Sequence, residues 1–418
     1  MSIAAQTTLL TTPAGPLPVS GRVQLIDTLR AMALFGVIMM NIIGMTMMFQ
    51  ADVVMANAGI ADMATGVSDL VFLQGKARSC FAFLFGVGFG VLLMRAEAGG
   101  KAFNRFYWRR MAVLFVFGVI NQVFLFWGDI LMIYALVGAT LPWFRHLSDK
   151  ALLCTGLVLT LVVPVLHGAW NMGFGAPVPP VTQQELEAWT VSATQVLHHA
   201  PYGPQVMAIN VQAMLQRWGN EPVHMSVYVI GVLGLFLLGM WTARRGLLFD
   251  VQAHRPLLRR IAWVALPVGF LLSLLNASIN LGWQPAQPMA GVVTASYAGL
   301  PLMSIGYVAL FALLLDRRGE GFKRMLAPVG RMALTNYLVS GVIGALVYHG
   351  YGLGLMGKLS MAQMNLLAVG VFVLLAVFSH VWLHFFRHGP FEWWWRTCTY
   401  GKWQPLRHAS TAVAVPTV

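Results

Sequence analysis

The stretch LIDTLRAMALFGVIMMN, Leu25–Asn41, decides the fold. With the apolar residues that follow it to Met48 it is long enough to cross a bilayer, which takes about 20 mostly apolar residues in a helix. Asp27 and Arg30 are three residues apart, so they share a helix face. Asn41 lies eleven residues beyond Arg30 and returns to nearly the same angle at about 3.6 residues per turn. Asp27, Arg30 and Asn41 therefore form one polar stripe on an oily helix. A charge in hydrocarbon costs roughly 2.5–3.5 kcal/mol even on lenient insertion scales. Such a stripe is expected to face other helices or a wet cavity.

The rest of the chain extends this reading. Of 418 residues, 58% are hydrophobic and only 10% charged, against about 25% charged in a soluble domain. The sequence predicts an all-α polytopic membrane helix bundle. About ten transmembrane helices are expected, running approximately from Ile26 to Met48, Leu70 to Met94, Met111 to Phe126, Ile130 to Phe144, Leu152 to Trp170, Ser226 to Thr242, Ile261 to Ile279, Val292 to Leu315, Met332 to His349 and Leu366 to Phe386. The third and fourth are short and are joined by Trp127-Gly128-Asp129. No cleavable signal is legible before Arg22, so the first span is expected to serve as an uncleaved signal-anchor.

Lys+Arg outnumber Asp+Glu by 27 to 14, a net charge of +13. The excess is distributed unevenly. Arg95, Lys101, Arg105, Arg109 and Arg110 fall in one connection, and Arg244, Arg245, Arg255, Arg259 and Arg260 in another. Arg317, Arg318, Lys323, Arg324 and Arg331 fall in a third. Arg145 and Lys150 form a further basic connection and Arg387, Arg396, Lys402 and Arg407 a basic C-terminal segment, whereas the alternate connections are nearly bare, with Arg217 and Lys358 their clear basic members. Such alternation orients membrane proteins, with the basic loops inside, and argues against nucleic acid as the partner. Both termini are then cytoplasmic, the basic face meets anionic lipids, and the location expected is a bacterial inner membrane. Residues 1–22 and 405–418 read as flexible cytoplasmic tails around a transmembrane domain, 23–404. Its one sizeable outer connection is 171–224. Two helical stretches are predicted there, Gln183–His199 and Pro204–Trp218. The second, with Met207, Val211, Met214, Leu215 and Trp218 on one face, either lies on the outer leaflet or packs on the bundle.

Further polar groups interrupt the spans. Lys76 and Arg78 lie in the outer half of the second helix, either snorkelling to the interface or lining a pathway. Ala82, Gly86 and Gly90 are four apart, a face for close helix contact. Asn121 and Gln122 lie in the third helix. Asp129 opens the fourth, as a cap or as a general base at a cavity mouth. His380, His384 and His388 have the i,i+4 spacing of metal ligands but no Cys, Asp or Glu beside them, so no metal site is expected. The three cysteines form no disulfide framework.

LIDTLRAMALFGVIMMN, the Gly75-Lys76 to Gly90 run, GDILMIYAL (Gly128 to Leu136), GRMALTNYL (Gly330 to Leu338), YGLGLMG (Tyr351 to Gly357) and GPFEWWWRTCTYG (Gly389 to Gly401), in this order, resemble the YeiB-like family of bacterial inner-membrane proteins, which bears a domain-of-unknown-function label. The first-helix signature is also similar to that of transmembrane acyltransferases. That likeness implies acyl-CoA as a co-substrate, no bound cofactor, and transfer of an acyl group to a carbohydrate or envelope molecule. On this reading Asp27, Arg30, Asn41, Lys76, Arg78 and Asn121 bind substrate. Asn41 and Asn121 stand where acyltransferases and relatives often carry His, and an amide cannot take a proton as His does. Asp129 is then the catalytic candidate. A transporter or exporter of a small anionic solute, using the same stripe as a pathway, is the alternative; a non-catalytic membrane scaffold is a further one.

Overall fold

The computed structural model describes residues 24–98, 103–174, 182–220, 222–281 and 296–408. Every regular element among them is helical. The helices are α1 (Gln24–Ala56), α2 (Ile60–Ser68), α3 (Lys76–Ala98), α4 (Phe103–Phe124), α5 (Leu131–Thr140), α6 (Asp149–Leu157), α7 (Val163–Phe174) and α8 (Gln183–His199). They continue with α9 (Pro204–Asn220), α10 (Pro222–Arg244), α11 (Arg255–Asn280), α12 (Gly299–Arg318), α13 (Glu320–Arg331), α14 (Ala333–Tyr348), α15 (Met361–Phe385) and α16 (Pro390–Tyr400). Single π-helical turns join α2 towards α3 and α6 to α7.

Among the described residues, seven helical stretches are long and apolar enough to cross a membrane. They are eight if α13 and α14, bent by 73° at Met332, count as one. They coincide with eight of the ten expected spans. The other two expectations fall on α4 and on Leu131–Phe144. The first opens with Arg105, Arg109 and Arg110, and the second is short, α5 closing in one 3-10 turn. The expected start at Val292 and both chain ends, 1–23 and 409–418, lie outside the described residues. Residues 405–408, where the C-terminal tail was expected to begin, run back along the end of α15. There Arg387 N donates to Leu406 O at 2.8 Å.

Local chemistry sets the helix ends. Thr182 and Glu185 close α8 in a reciprocal capping box, as Ser360 and Gln363 do for α15. Gly389 and Pro390 start α16, and Gly401 stops it at φ +66, a left-handed conformation that favours glycine.

The stripe-bearing α1 is the hub of the bundle and packs against α3, α13, α14 and α15. The Ala82–Gly86–Gly90 face of α3 meets α10 as its spacing predicts. A Cβ on Gly86 would lie 2.2 Å from Phe236 O. In α9 the packed face is Val206, Ile209, Asn210 and Ala213, while Leu215 is exposed. The helix therefore packs on the bundle, fixed by Asn210 Nδ2 donating to Val123 O at 3.2 Å.

Hydrogen bonds also sort the connections by charge. At one end Arg145 bonds to Asn104, Arg244 to the Arg145 and Leu147 carbonyls, Arg109 to Cys398 O and Arg331 to Arg387 O. At the other end Gly350 N donates to Leu197 O, Tyr202 to Phe124 O and Thr194 to Phe49 O. Among the described residues, basic connections thus share one end of the bundle, and bare connections share the other.

Candidate functional site

At the basic end α1 places Asp27 and Arg30 one turn apart. Arg30 Nη1 donates to Asp27 Oδ1 at 2.9 Å. Two glycines make room for this pair. A Cβ on Gly330 would lie 1.8 Å from Asp27 O, so only glycine lets α13 approach α1 here. A Cβ on Gly88 of α3 would lie 3.1 Å from Arg30 Nη2.

The pair opens onto a cavity of about 330 Å³. Five arginines line it, Arg30, Arg95, Arg110, Arg331 and Arg396, with Asp27 and Glu392 as the acids. All five belong to the basic end. Arg95 closes α3, Arg110 lies near the start of α4, Arg331 ends α13 and Arg396 rides on α16. The remaining wall is apolar and aromatic, including Phe81, Leu84, Phe85, Leu114, Leu131, Tyr134 and Tyr337. Phe81 is 14 residues from Arg95 along α3, which at 1.5 Å per residue is about 20 Å of helix. The cavity is therefore basic at one end and oily along its depth.

Glu392 is held by the first turn of α14. Its Oε1 accepts from Leu334 N at 2.7 Å and Thr335 N at 3.0 Å, and its Oε2 from Thr335 Oγ1 at 2.5 Å. A carboxylate at a helix N-terminus is favoured by the unpaired amides and the helix dipole. Burial nonetheless pushes the Glu392 carboxyl above the ordinary glutamate value, against the pull of these bonds. Arg110 lies over the Trp395 ring, 3.5 Å from its centroid.

Tyr337 joins the oily wall to a second polar group. Its hydroxyl donates to Asp129 Oδ1 at 3.1 Å and accepts from Ile130 N at 3.3 Å. Asn121 Nδ2 donates to the same Asp129 oxygen at 2.7 Å, and Met132 N to Oδ2 at 2.9 Å. Asp129 thus caps α5 and is also tied to the cavity through one phenol.

The expected site residues therefore divide. Asp27 and Arg30 line the cavity. Asn121 and Asp129 form the node behind Tyr337. Lys76 is fully buried, and its Nζ donates to Leu70 O at 2.7 Å. The Arg78 guanidinium lies over Tyr228 at 4.4 Å. Asn41 is half-buried in α1 and does not line the cavity. Sequence reasoning missed Arg95, Arg110, Arg331, Arg396, Glu392 and Tyr337 as site residues. Four of them lie in the GRMALTNYL and GPFEWWWRTCTYG motifs, whose charged and phenolic groups were the available signal.

A family profile described as "Protein of unknown function (DUF418)" matches residues 242–402. The uncharacterized protein YxaH of Bacillus subtilis (strain 168) is 32% identical over 404 residues, 92% of this chain and 96% of its own. The uncharacterized protein YeiB of Escherichia coli (strain K12) is 31% identical over 359 residues, 82% of this chain and 84% of its own. The chain belongs to the YeiB-like family of unknown function. An uncharacterized 39.9 kDa protein from the amylase 3′ region of Bacillus acidopullulyticus is 26% identical over 399 residues, 94% of this chain and 97% of its own. No solved structure matches. In this YeiB-like chain the profile segment supplies Arg331, Tyr337, Glu392 and Arg396, much of the cavity wall.

Proposed function

We propose that this YeiB-like protein is a multi-pass inner-membrane protein of about ten spans, with both termini cytoplasmic. It takes a phosphate-bearing acyl donor of the acyl-CoA type from the cytoplasm into the arginine-lined cavity. The acyl group passes to a carbohydrate or envelope molecule arriving from the outer side. One observation carries the reading: a single cavity joins five guanidinium groups to an aromatic, apolar interior. Guanidinium forks suit phosphate oxygens, and the oily depth suits an acyl chain. The clustering of basic connections at one end supports the orientation. In the transfer, the acceptor oxygen attacks the thioester carbonyl, the C–O bond forms, and the C–S bond breaks. The acceptor proton passes through the Tyr337 hydroxyl to Asp129 and is returned by the same route to the departing thiolate, which leaves as the CoA thiol. Asp129 is in this scheme a positioning base reached through Tyr337.

Export of a small anion is the second reading, favoured by the break between α13 and α14. Broken helices at mid-bundle sites recur in transporters, and Arg331, Ala333 and Leu334 around this break line the cavity. Equilibrium binding of palmitoyl-CoA to the purified protein, compared with free CoA and with ATP, tests the donor reading. Binding of palmitoyl-CoA above the other two supports it. Equal binding of all three, or none, overturns it. Movement of an intact anion into proteoliposomes without release of CoA would favour export.

A further inference from the structure

The cavity has one wall unlike the others. Glu392, Trp395, Arg396 and Tyr400 all line it, and all come from α16. Their spacing of three, four and eight residues from Glu392 puts them on one face of that helix. The helix has 11 residues, and Thr399 alone is fully buried. It is bounded by Gly389-Pro390 at one end and by left-handed Gly401 at the other. Few fully buried side chains are a feature of segments that open locally before the rest of a fold.

Polar contacts hold the helix in place. The Glu392 carboxylate sits on the first turn of α14, and Phe391 N donates to Thr335 Oγ1 at 3.2 Å. Trp395 Nε1 donates to Arg110 O at 2.9 Å, and Arg109 Nη2 to Cys398 O at 2.8 Å. Phe391 and Trp394 rest edge-on against Phe117. The helix therefore spans from α4 to α14 across the basic end of the cavity, where a ligand from that side must enter.

We infer that α16 is a lid over the arginine cavity, latched by Glu392 on the first turn of α14 and turning at Gly389-Pro390 and Gly401. Closing brings Arg396 and Trp395 onto the bound molecule, so the lid is also part of the recognition surface. Opening breaks the Glu392, Phe391, Trp395 and Cys398 contacts and lifts Phe391 and Trp394 off Phe117, leaving the transmembrane helices unmoved. The inference rests on the proposed ligand site for its purpose, but the motion itself is testable without a ligand.

The chain carries its own reporter. Cys398 is on α16 and half-exposed, Cys80 is buried, and Cys154 is exposed and removable as Cys154→Ser. The rate of maleimide labelling of Cys398 is measured in the full chain in nanodiscs. Glu392→Gln keeps the shape and removes the charge of the latch, and should raise the rate about tenfold, since bonds to charged groups are the strong ones. Thr335→Val removes the hydroxyl that bonds both Glu392 Oε2 and Phe391 N, and should also raise it. Equal rates in the parent and Glu392→Gln, with both eluting as folded protein, would overturn the lid. Should Glu392→Gln not fold, amide exchange in the parent decides. The lid requires α16 to exchange at least tenfold faster than α14, and equal protection overturns it. Palmitoyl-CoA should slow Cys398 labelling by holding the lid shut. Faster labelling in Glu392→Gln combined with no effect of palmitoyl-CoA would leave the lid standing and count against the proposed donor.

Discussion

Gly330 lies so close to Asp27 that a Cβ built on it would sit 1.8 Å from the Asp27 carbonyl oxygen. This contact joins the end of α13 to the first turns of α1, where the Asp27–Arg30 pair faces the cavity. Gly330→Ala must push the two helices apart, because the obstacle is backbone. Overpacking of this kind costs about 1–3 kcal/mol or more. Folded yield and thermal midpoint should both fall. Gly44, in the same α1, has open space around its missing Cβ, so Gly44→Ala should be neutral or stabilise by up to about 1 kcal/mol. Thermal unfolding in detergent compares the two.

The charged pair should behave as a pair. Asp27 is nearly buried, at 10% side-chain exposure, and Arg30 is at 32%. Arg30→Ala strands the carboxylate, and the double change Asp27→Ala with Arg30→Ala does not. The single change should therefore be the more damaging, by about 2 kcal/mol. That is below the 3–5 kcal/mol of a fully buried pair because Arg30 is partly solvated. A double-mutant cycle on stability checks this, and additive effects would show no coupling.

The Tyr337 hydroxyl links the oily wall to Asp129. Tyr337→Phe keeps the ring and removes the hydroxyl. Turnover should fall about 100-fold, the lower end of acid–base contributions, with palmitoyl-CoA binding kept. Asp129→Asn should also lose turnover, with added loss of stability because the carboxylate accepts from Asn121 and Met132 as well. Full activity in Tyr337→Phe would remove the relay.

Orientation has a direct check. Ala188 is exposed on α8, at the bare end, and Cys398 is at the basic end. A cysteine at position 188 should react with an impermeant thiol reagent in intact cells, and Cys398 should react only after the membrane is opened. Equal labelling of both would reverse or abolish the assigned topology.

The fold was largely legible because hydrophobic length and loop charge are local signals. The small-residue face of α3 was read from spacing alone and meets α10, and of the α1 stripe Asp27 and Arg30 line the cavity. The cavity was less legible. Arg95, Arg110 and Arg331 look in sequence like ordinary orientation charges, and only the convergence of α3, α4 and α13 turns them inward. Glu392 and Arg396 lie in a Trp-rich stretch that reads equally well as an interfacial anchor. Lys76 and Arg78 failed to join the cavity because α3 points them at the Leu70 carbonyl and the Tyr228 ring instead. Asn41 satisfied the helical spacing, but α1 is long enough to carry it past the cavity.

The central claim is that the arginines hold a phosphate-bearing amphiphile whose chain lies in the oily depth. Its most direct test is titration of palmitoyl-CoA into the purified parent chain, Arg95→Gln and Arg396→Gln, with free CoA and palmitate as the two half-ligands. The expected result is saturable binding of palmitoyl-CoA that weakens about tenfold or more in each variant, with each half-ligand weaker than the whole. Palmitoyl-CoA affinity unchanged in both variants, or palmitate binding as tightly as palmitoyl-CoA, would contradict it.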